Sequence, residues 1–374
     1  MDVSGNVNAY ANVTSVDKAE SVTGGVVGEK ASERTQRGIN TGLLPAWIGF
    51  TGKTRQNDLD VEFGISFQPS VSENTFHGDG SNARGVDNAG GVVNNTFLNR
   101  QTYIKFGDAS WGSIKLGKDL GIYASDAILN DMTLLGVGAG AGLSGAGGNT
   151  TLGGIGSGYQ YAAWKGQVAY TTPNWNGFQA TVGIVNPNMF GNPTVEQDQF
   201  GYEAKASYAW TGDVSGKVWA SGASYDVDAS KTDSWGSKRI SAYDLGANVN
   251  VAGFGLTGYV YDGRGNGITA LGLSGIDATT GKRRDGNGGY IQATYVIPFG
   301  TKLGLAYGES NLDKYSGETD SAVVEKHERI TVGAYHPITK SLNLVAEYND
   351  IKAEAQNNNK NEYHTVSLGA ILFF

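Results

Sequence analysis

The sequence predicts an all-β protein: a sixteen-stranded antiparallel transmembrane β-barrel with an inward-folded long third loop. Three observations carry this. Apolar and polar residues alternate in segment after segment, as strands with two different faces require. Short turns and long links alternate along the chain. The composition, 57 Gly against 7 Pro, with 19 Tyr, 13 Phe, 7 Trp and no Cys in 374 residues, suits strands and turns rather than helices.

The strands follow in order. Val3, Gly5, Val7, Ala9 and Ala11 alternate with mostly polar residues and mark Asp2–Val13; a polar loop runs to about Thr41. Leu44–Arg55 and Asp58–Ser70 pair across RQND, the second with Leu59, Val61, Phe63, Ile65 and Phe67 on one face. After a polar loop at Val71–Thr96 come Phe97–Gly107 and Ser110–Lys118, then a long Gly-rich link to Trp164–Pro173, which meets Gly177–Asn186 across PNWNG. Four further pairs have short links: Gly201–Trp210 with Val214–Val227, Ile240–Val251 with Phe254–Asp262, Gly289–Pro298 with Thr301–Asn311, and Arg329–Pro337 with Ser341–Ile351. Glu362–Phe374 closes the chain.

Every short link falls at one end and every long one at the other. A soluble sandwich has no reason to sort its loops so; an outer-membrane barrel has periplasmic turns and long outer loops. The faces agree with lipid: Leu245, Ala247, Val249 and Val251 oppose Asp244, Gly246, Asn248 and Asn250. Leu342, Leu344, Ala346 and Tyr348 oppose Asn343, Glu347 and Asn349, with Val345 the exception. Trp47, Trp111, Trp175, Trp210, Tyr295 and Tyr335 are placed to form interfacial girdles. The single domain covers 1–374, with 119–163 the candidate constriction loop. That segment opens with a helix-like patch at Ala124–Leu134 and continues as GVGAGAGLSGAGGNTTLGGIGSG, which cannot build a core of its own and must lean on the lumen.

Other classes are set aside on composition. Hydrophobic residues make up 39% and mean hydropathy is −0.29, with no apolar run near the roughly 18 residues of a spanning helix. Without Cys there is no thiol chemistry. A net charge of −8 and a pI near 5.1 give no concentrated basic face for nucleic acid. His77, His327, His336 and His364 have no ligand spacing and read as surface residues; no cofactor is implied. GRGNG at Gly263–Gly267 precedes no helix, so it is no phosphate cradle. No local Ser/His constellation indicates an enzyme. Asp226, Asp228 and Asp233 read as solvated charge. Met1 leads straight into a strand, so the chain reads as a mature form preceded by a methionine.

The segment NRQTYIKFGDASWGSIKLGKDLG (Asn99–Gly121) and the hairpin AYTTPNWNGFQATVG resemble the Gram-negative general porin family. A terminal Phe374 on the alternating strand TVSLGAILFF resembles the assembly signal of outer-membrane barrels. The resemblance implies a homotrimer in contact with outer-membrane lipid and lipopolysaccharide, passing small hydrophilic solutes. It also implies an acidic third loop facing basic wall residues. Arg100 then matches a wall arginine and Asp131 the first loop acid. Trp47 in AWIGF replaces a family Arg, and Leu135 replaces the second acid. Lys165 shares a face with Gln167, and Lys53 lies opposite Ile48 and Phe50. Arg100 and Lys105 cannot both point inward without a bulge, and Lys118 can point either way. With Asp131 as the main acid facing Arg100 and Lys165, the expectation is a preference for anions despite the acidic pI. The alternatives are a specific channel for a carboxylate or aromatic acid, and a barrel adhesin or enzyme.

Overall fold

A computed structural model describes residues 1–24, 35–71, 97–141, 150–187, 195–196, 199–229 and 235–374. The expected loop at Val71–Thr96, His77, Asp233 and the middle of the Gly-rich segment lie outside the described residues, apart from Val71 itself. The strands are β1 (Asp2–Ala19), β2 (Thr35–Asn40), β3 (Trp47–Gln56), β4 (Leu59–Pro69), β5 (Phe97–Asp108), β6 (Gly112–Leu120), β7 (Trp164–Thr171), β8 (Phe178–Val185), β9 (Val195–Glu196), β10 (Gly201–Trp210), β11 (Val214–Ala229), β12 (Lys238–Val251), β13 (Phe254–Arg264), β14 (Asp285–Val296), β15 (Lys302–Leu312), β16 (Val324–Pro337), β17 (Leu342–Ala355) and β18 (Lys360–Phe373). All neighbours are antiparallel. β2 and β3 are two lengths of one stave, both paired with β1, and β9 is a short piece on the outer end of β11. The barrel therefore closes on sixteen staves. The seam runs from Asn6 opposite Phe373 to Ala19 opposite Asn361, and Gly5 and Phe374 exchange backbone hydrogen bonds of 2.9 and 3.1 Å.

The break between β2 and β3 follows from Pro45, which cannot donate to a ladder. The side chains of β1 take over there: Asn6 donates to the Pro45 carbonyl (3.1 Å), Asn8 to the Leu44 carbonyl (2.9 Å), and the Gly42 N–H donates to Asn8 (2.8 Å). Tight turns fit the opposite end. Asn57 and Asp58 have φ of 49° and 61°, and Ala252 and Gly253 have 48° and 83°, the positive values that two-residue hairpins need to match strand twist.

Alternation is clean. Leu245 is 60% exposed while Asp244 beside it is 4% exposed, so the apolar face meets lipid and the polar face the interior. Val345 is buried on the interior face. Trp111, Trp175, Phe178, Tyr208, Phe254, Phe299 and Phe374 are exposed near the short-turn end, with Trp175 stacked on Phe178 and Phe254 on Tyr295. Two expected girdle members are corrected. Tyr335 is buried inside, its hydroxyl donating to Glu347 (2.7 Å), and Trp47 pairs with interior Asn6 and lies across Gly49. Strict sorting of links is corrected as well: β17 and β18 extend until only Gln356–Asn359 joins them at the outer end. Their ladder outlasts the apolar band because Lys352 faces Glu362 and Glu354 faces Lys360 across the pair.

The candidate channel wall

The segment 119–163 carries a short helix α1 (Ser125–Leu129) and a 3-10 turn (Met132–Leu135), matching the helix-like patch. Interior side chains all around the wall grip its backbone. The N–H groups of Ile122 and Tyr123 donate to Glu203 (2.7 and 3.0 Å), Met132 N–H to Gln292 (2.7 Å), and Val137 and Gly138 N–H to Glu347 (3.1 and 2.9 Å). Gly140 N–H donates to Tyr363 (2.9 Å) and Gly158 N–H to Ser310 (3.0 Å). In the other direction, Tyr10 donates to the Leu135 carbonyl (2.7 Å), Thr14 to that of Ala141 (2.7 Å) and Tyr290 to that of Ala127 (2.9 Å). A Gly-rich chain offers little but its own amides and carbonyls, and buried ones must be paired. Here the wall supplies the partners.

Asp131 is buried and fully engaged. It caps the 3-10 turn by accepting from Thr133 N–H (2.9 Å), and it accepts from Gly154 N–H (2.9 Å) and the Tyr159 hydroxyl (2.8 Å). Its cationic neighbour is Arg329, at 3.8 Å, not Arg100 or Lys165, which corrects the expected pairing. Lys165 is buried against Glu203 (2.5 Å) and Tyr225 (2.7 Å), so its charge is matched within the same cluster that holds the start of the loop. Leu135 packs beside Tyr10, Val137, Tyr335 and Val345.

Arg100 sits at a bulge. Gln101 is opposite Ser66 and Asn99 opposite Phe67, leaving Arg100 as the extra residue of β5. Its N–H donates to Gln68 (3.0 Å) and its guanidinium lies 6.0 Å from the Trp164 ring centre. Lys118 pairs across the strands with exposed Thr102 and donates to the Asn99 carbonyl (3.0 Å), which puts it on the outward face. Lys105 and Lys53 are on the interior face, both reaching Glu62, at 3.5 and 3.4 Å.

The registers extend this rung. Lys53 lies opposite Glu62, Glu62 opposite Lys105, and Lys105 opposite Lys115, from β3 to β6. Lys115 bonds Asp119, which also accepts from Gln101 (3.0 Å). Farther round, Asp126 of α1 is clasped by Lys205 (3.1 Å) of β10 and by Lys217 of β11. Sequence reasoning missed Lys115, Lys205, Lys217, Glu203, Glu347 and Arg329. Parity could have found the lysines: Lys205 stands between Ala204 and Ala206, and Lys217 between Gly216 and Val218, in strands whose opposite faces are exposed. His327 is also corrected: it is buried, its Nδ1 2.9 Å from the Gly156 carbonyl.

The fold aligns with solved structures along its whole length. An anion-selective porin from Comamonas acidovorans matches with a TM-score of 0.65 and 16% identity, over 100% of this chain and 99% of that one. The outer membrane channel DcaP of Acinetobacter baumannii gives 0.70 and 16%, over 100% and 96%. OmpF of Salmonella typhi, in complex with daunomycin, gives 0.62 and 15%, over 100% and 97%. No curated protein sequence matches the chain. The Gram-negative porin family matches residues 1–356. Closed barrel, apolar outer face, polar interior and a family match over nearly the full length lead to one conclusion: the chain belongs to the Gram-negative porins, outer-membrane channels for passive diffusion.

Proposed function

We propose that this porin favours small anions, and that the preference comes from the lysine wall rather than from Arg100 and Lys165. The carrying observation is the interior rung: Lys53, Lys105 and Lys115 with Glu62 and Asp119, joined by Lys205 and Lys217 around Asp126. Five lysines face three carboxylates, in a space where water is scarce and screening weaker than outside. Charges in the outer links are screened by bulk solvent over a Debye length of about 8 Å, so the net charge of −8 is a poor guide to the field at the wall. The grip of interior side chains on 119–163 supports its folding into the lumen, where it narrows the path against this wall. Protomers assemble as a homotrimer in contact with lipid and lipopolysaccharide, a reading supported by the family.

Reversal potentials in a potassium chloride gradient test the preference. Wild type is expected to pass chloride more readily than potassium. Changing Lys105, Lys115 and Lys205 to Gln together is expected to lower that ratio about threefold, while Arg100→Ala leaves it nearly unchanged. Cation selectivity in wild type, or an unchanged ratio in the triple variant, overturns the proposal.

A further inference from the structure

The link from β13 to β14, residues 265–284, does not stand clear of the barrel. Asn266, Ile268 and Ala270 are almost wholly buried, and Leu271 and Ile276 nearly so. Ile268 belongs to an apolar group containing Val16 of β1, Leu312 of β15, Val324 of β16, Ile351 of β17 and Tyr363 of β18. Leu271 and Ile276 belong to another, with Tyr225 and Val227 of β11 and Ile240 and Ala242 of β12. One short segment thus packs against interior side chains of two separate arcs of wall.

It is also joined to the Gly-rich segment. The Gln160 side chain donates to the carbonyls of Asn266 (3.0 Å) and Gly267 (2.7 Å) while accepting from the Tyr123 hydroxyl (2.8 Å), and Tyr161 N–H donates to the Thr269 carbonyl (2.8 Å). Gly267, at φ +69°, has no room for a Cβ, which would fall 2.0 Å from the Leu273 carbonyl. At the base, buried Arg284 bonds Glu318 (Nε 2.8 Å, Nη2 2.5 Å), the Ser274 carbonyl (2.8 Å) and Asp277 (3.2 Å). These bonds tie the segment to the next outer link.

We propose that residues 265–284 form a strap across the outer mouth over the β11–β18 side, and that this strap sets the largest solute admitted. The proposal rests on the porin reading but not on the lysine wall: the wall sorts by charge, the strap by size. Apolar anchors on both arcs hold it, so it is a fixed restriction, not a lid.

Proteoliposome swelling with neutral sugars, from a pentose to a trisaccharide, separates the two roles. Replacing 268–274 by two glycines is expected to raise the swelling rate with the trisaccharide roughly fivefold, leaving the chloride-to-potassium ratio unchanged. Gln160→Ala, which removes the clasp with a single side chain, is read the same way with a smaller rise, and decides the matter if the shortened chain does not assemble. An unchanged sugar ranking in whichever variants insert overturns the strap. A change in ion preference without a change in sugar ranking overturns it too, by placing the loop in the charge filter instead.

Discussion

A carboxylate expected to work on passing solutes is spent on structure. Asp131 accepts from Thr133, Gly154 and Tyr159, and with Arg329 nearby it has no free face for an ion. Asp131→Ala strands those donors, at about 1–3 kcal/mol for each buried group left unsatisfied. The loss is expected in the order of the loop rather than in the barrel: open-channel noise and cleavage within 121–141 rise while the β circular dichroism stays. Asp131→Asn keeps an acceptor and falls between. The Lys53 pair with Glu62, whose lysine reaches the water of the interior with a 65% exposed side chain, is expected to show little stability effect, since solvated ion pairs contribute about 0–1 kcal/mol. Resemblance found Asp131, but nothing in the sequence named its partner. Period-two parity gives the face of Arg329, not what approaches that face from a segment nearly two hundred residues away in the chain.

Strands were legible wherever one face meets lipid, because alternation then persists, and all sixteen expected staves have a counterpart. Their outer ends were not. β1 continues to Ala19 and β18 begins at Lys360, where the outward face turns polar (Ser15, Asp17, Glu362, His364) while Val16 and Tyr363 are buried inside, so the apolar-out pattern fades although the ladder goes on. The bulge at Arg100 was legible only as a condition, since parity forbade Arg100 and Lys105 the same side without it. At the opposite end, Phe374 completes the seam with Gly5, and its ring covers the place a Gly5 Cβ would take. Deleting Phe374 removes two seam hydrogen bonds out of a ladder that runs the length of β18. It is expected to reduce the amount of assembled barrel in cells severalfold while barrels refolded in detergent melt within a few degrees of wild type. Equal amounts in cells would remove the assembly role.

For the whole molecule the expectation is nearly pure β circular dichroism in detergent and a band that changes mobility only on heating, as a closed ladder without edges requires, with the proposed trimer migrating as an oligomer before heating. Substantial helix would contradict the closed barrel, and a monomer before heating would contradict the proposed trimer. Overall architecture was the most legible level because one physical demand, pairing every backbone group in lipid, acts on every stave. The interior was the least legible, because its charged side chains find partners on strands and loops distant in sequence, as Lys205 and Lys217 do on Asp126.

That interior has an evolutionary corollary. The loop is held by its amides and carbonyls, and the holding groups, Glu203, Gln292, Glu347, Tyr363, Tyr10 and Tyr290, all belong to the wall. Address and message are thus written in different places: wall side chains hold the loop's backbone, and only the loop's less buried side chains are open to change. The gripped positions 122, 123, 132 and 137 carry buried side chains as well, so a lineage retunes its diet at less buried loop positions such as 129 and 134, with proline barred at 122, 123, 132 and 137 because it has no N–H to give.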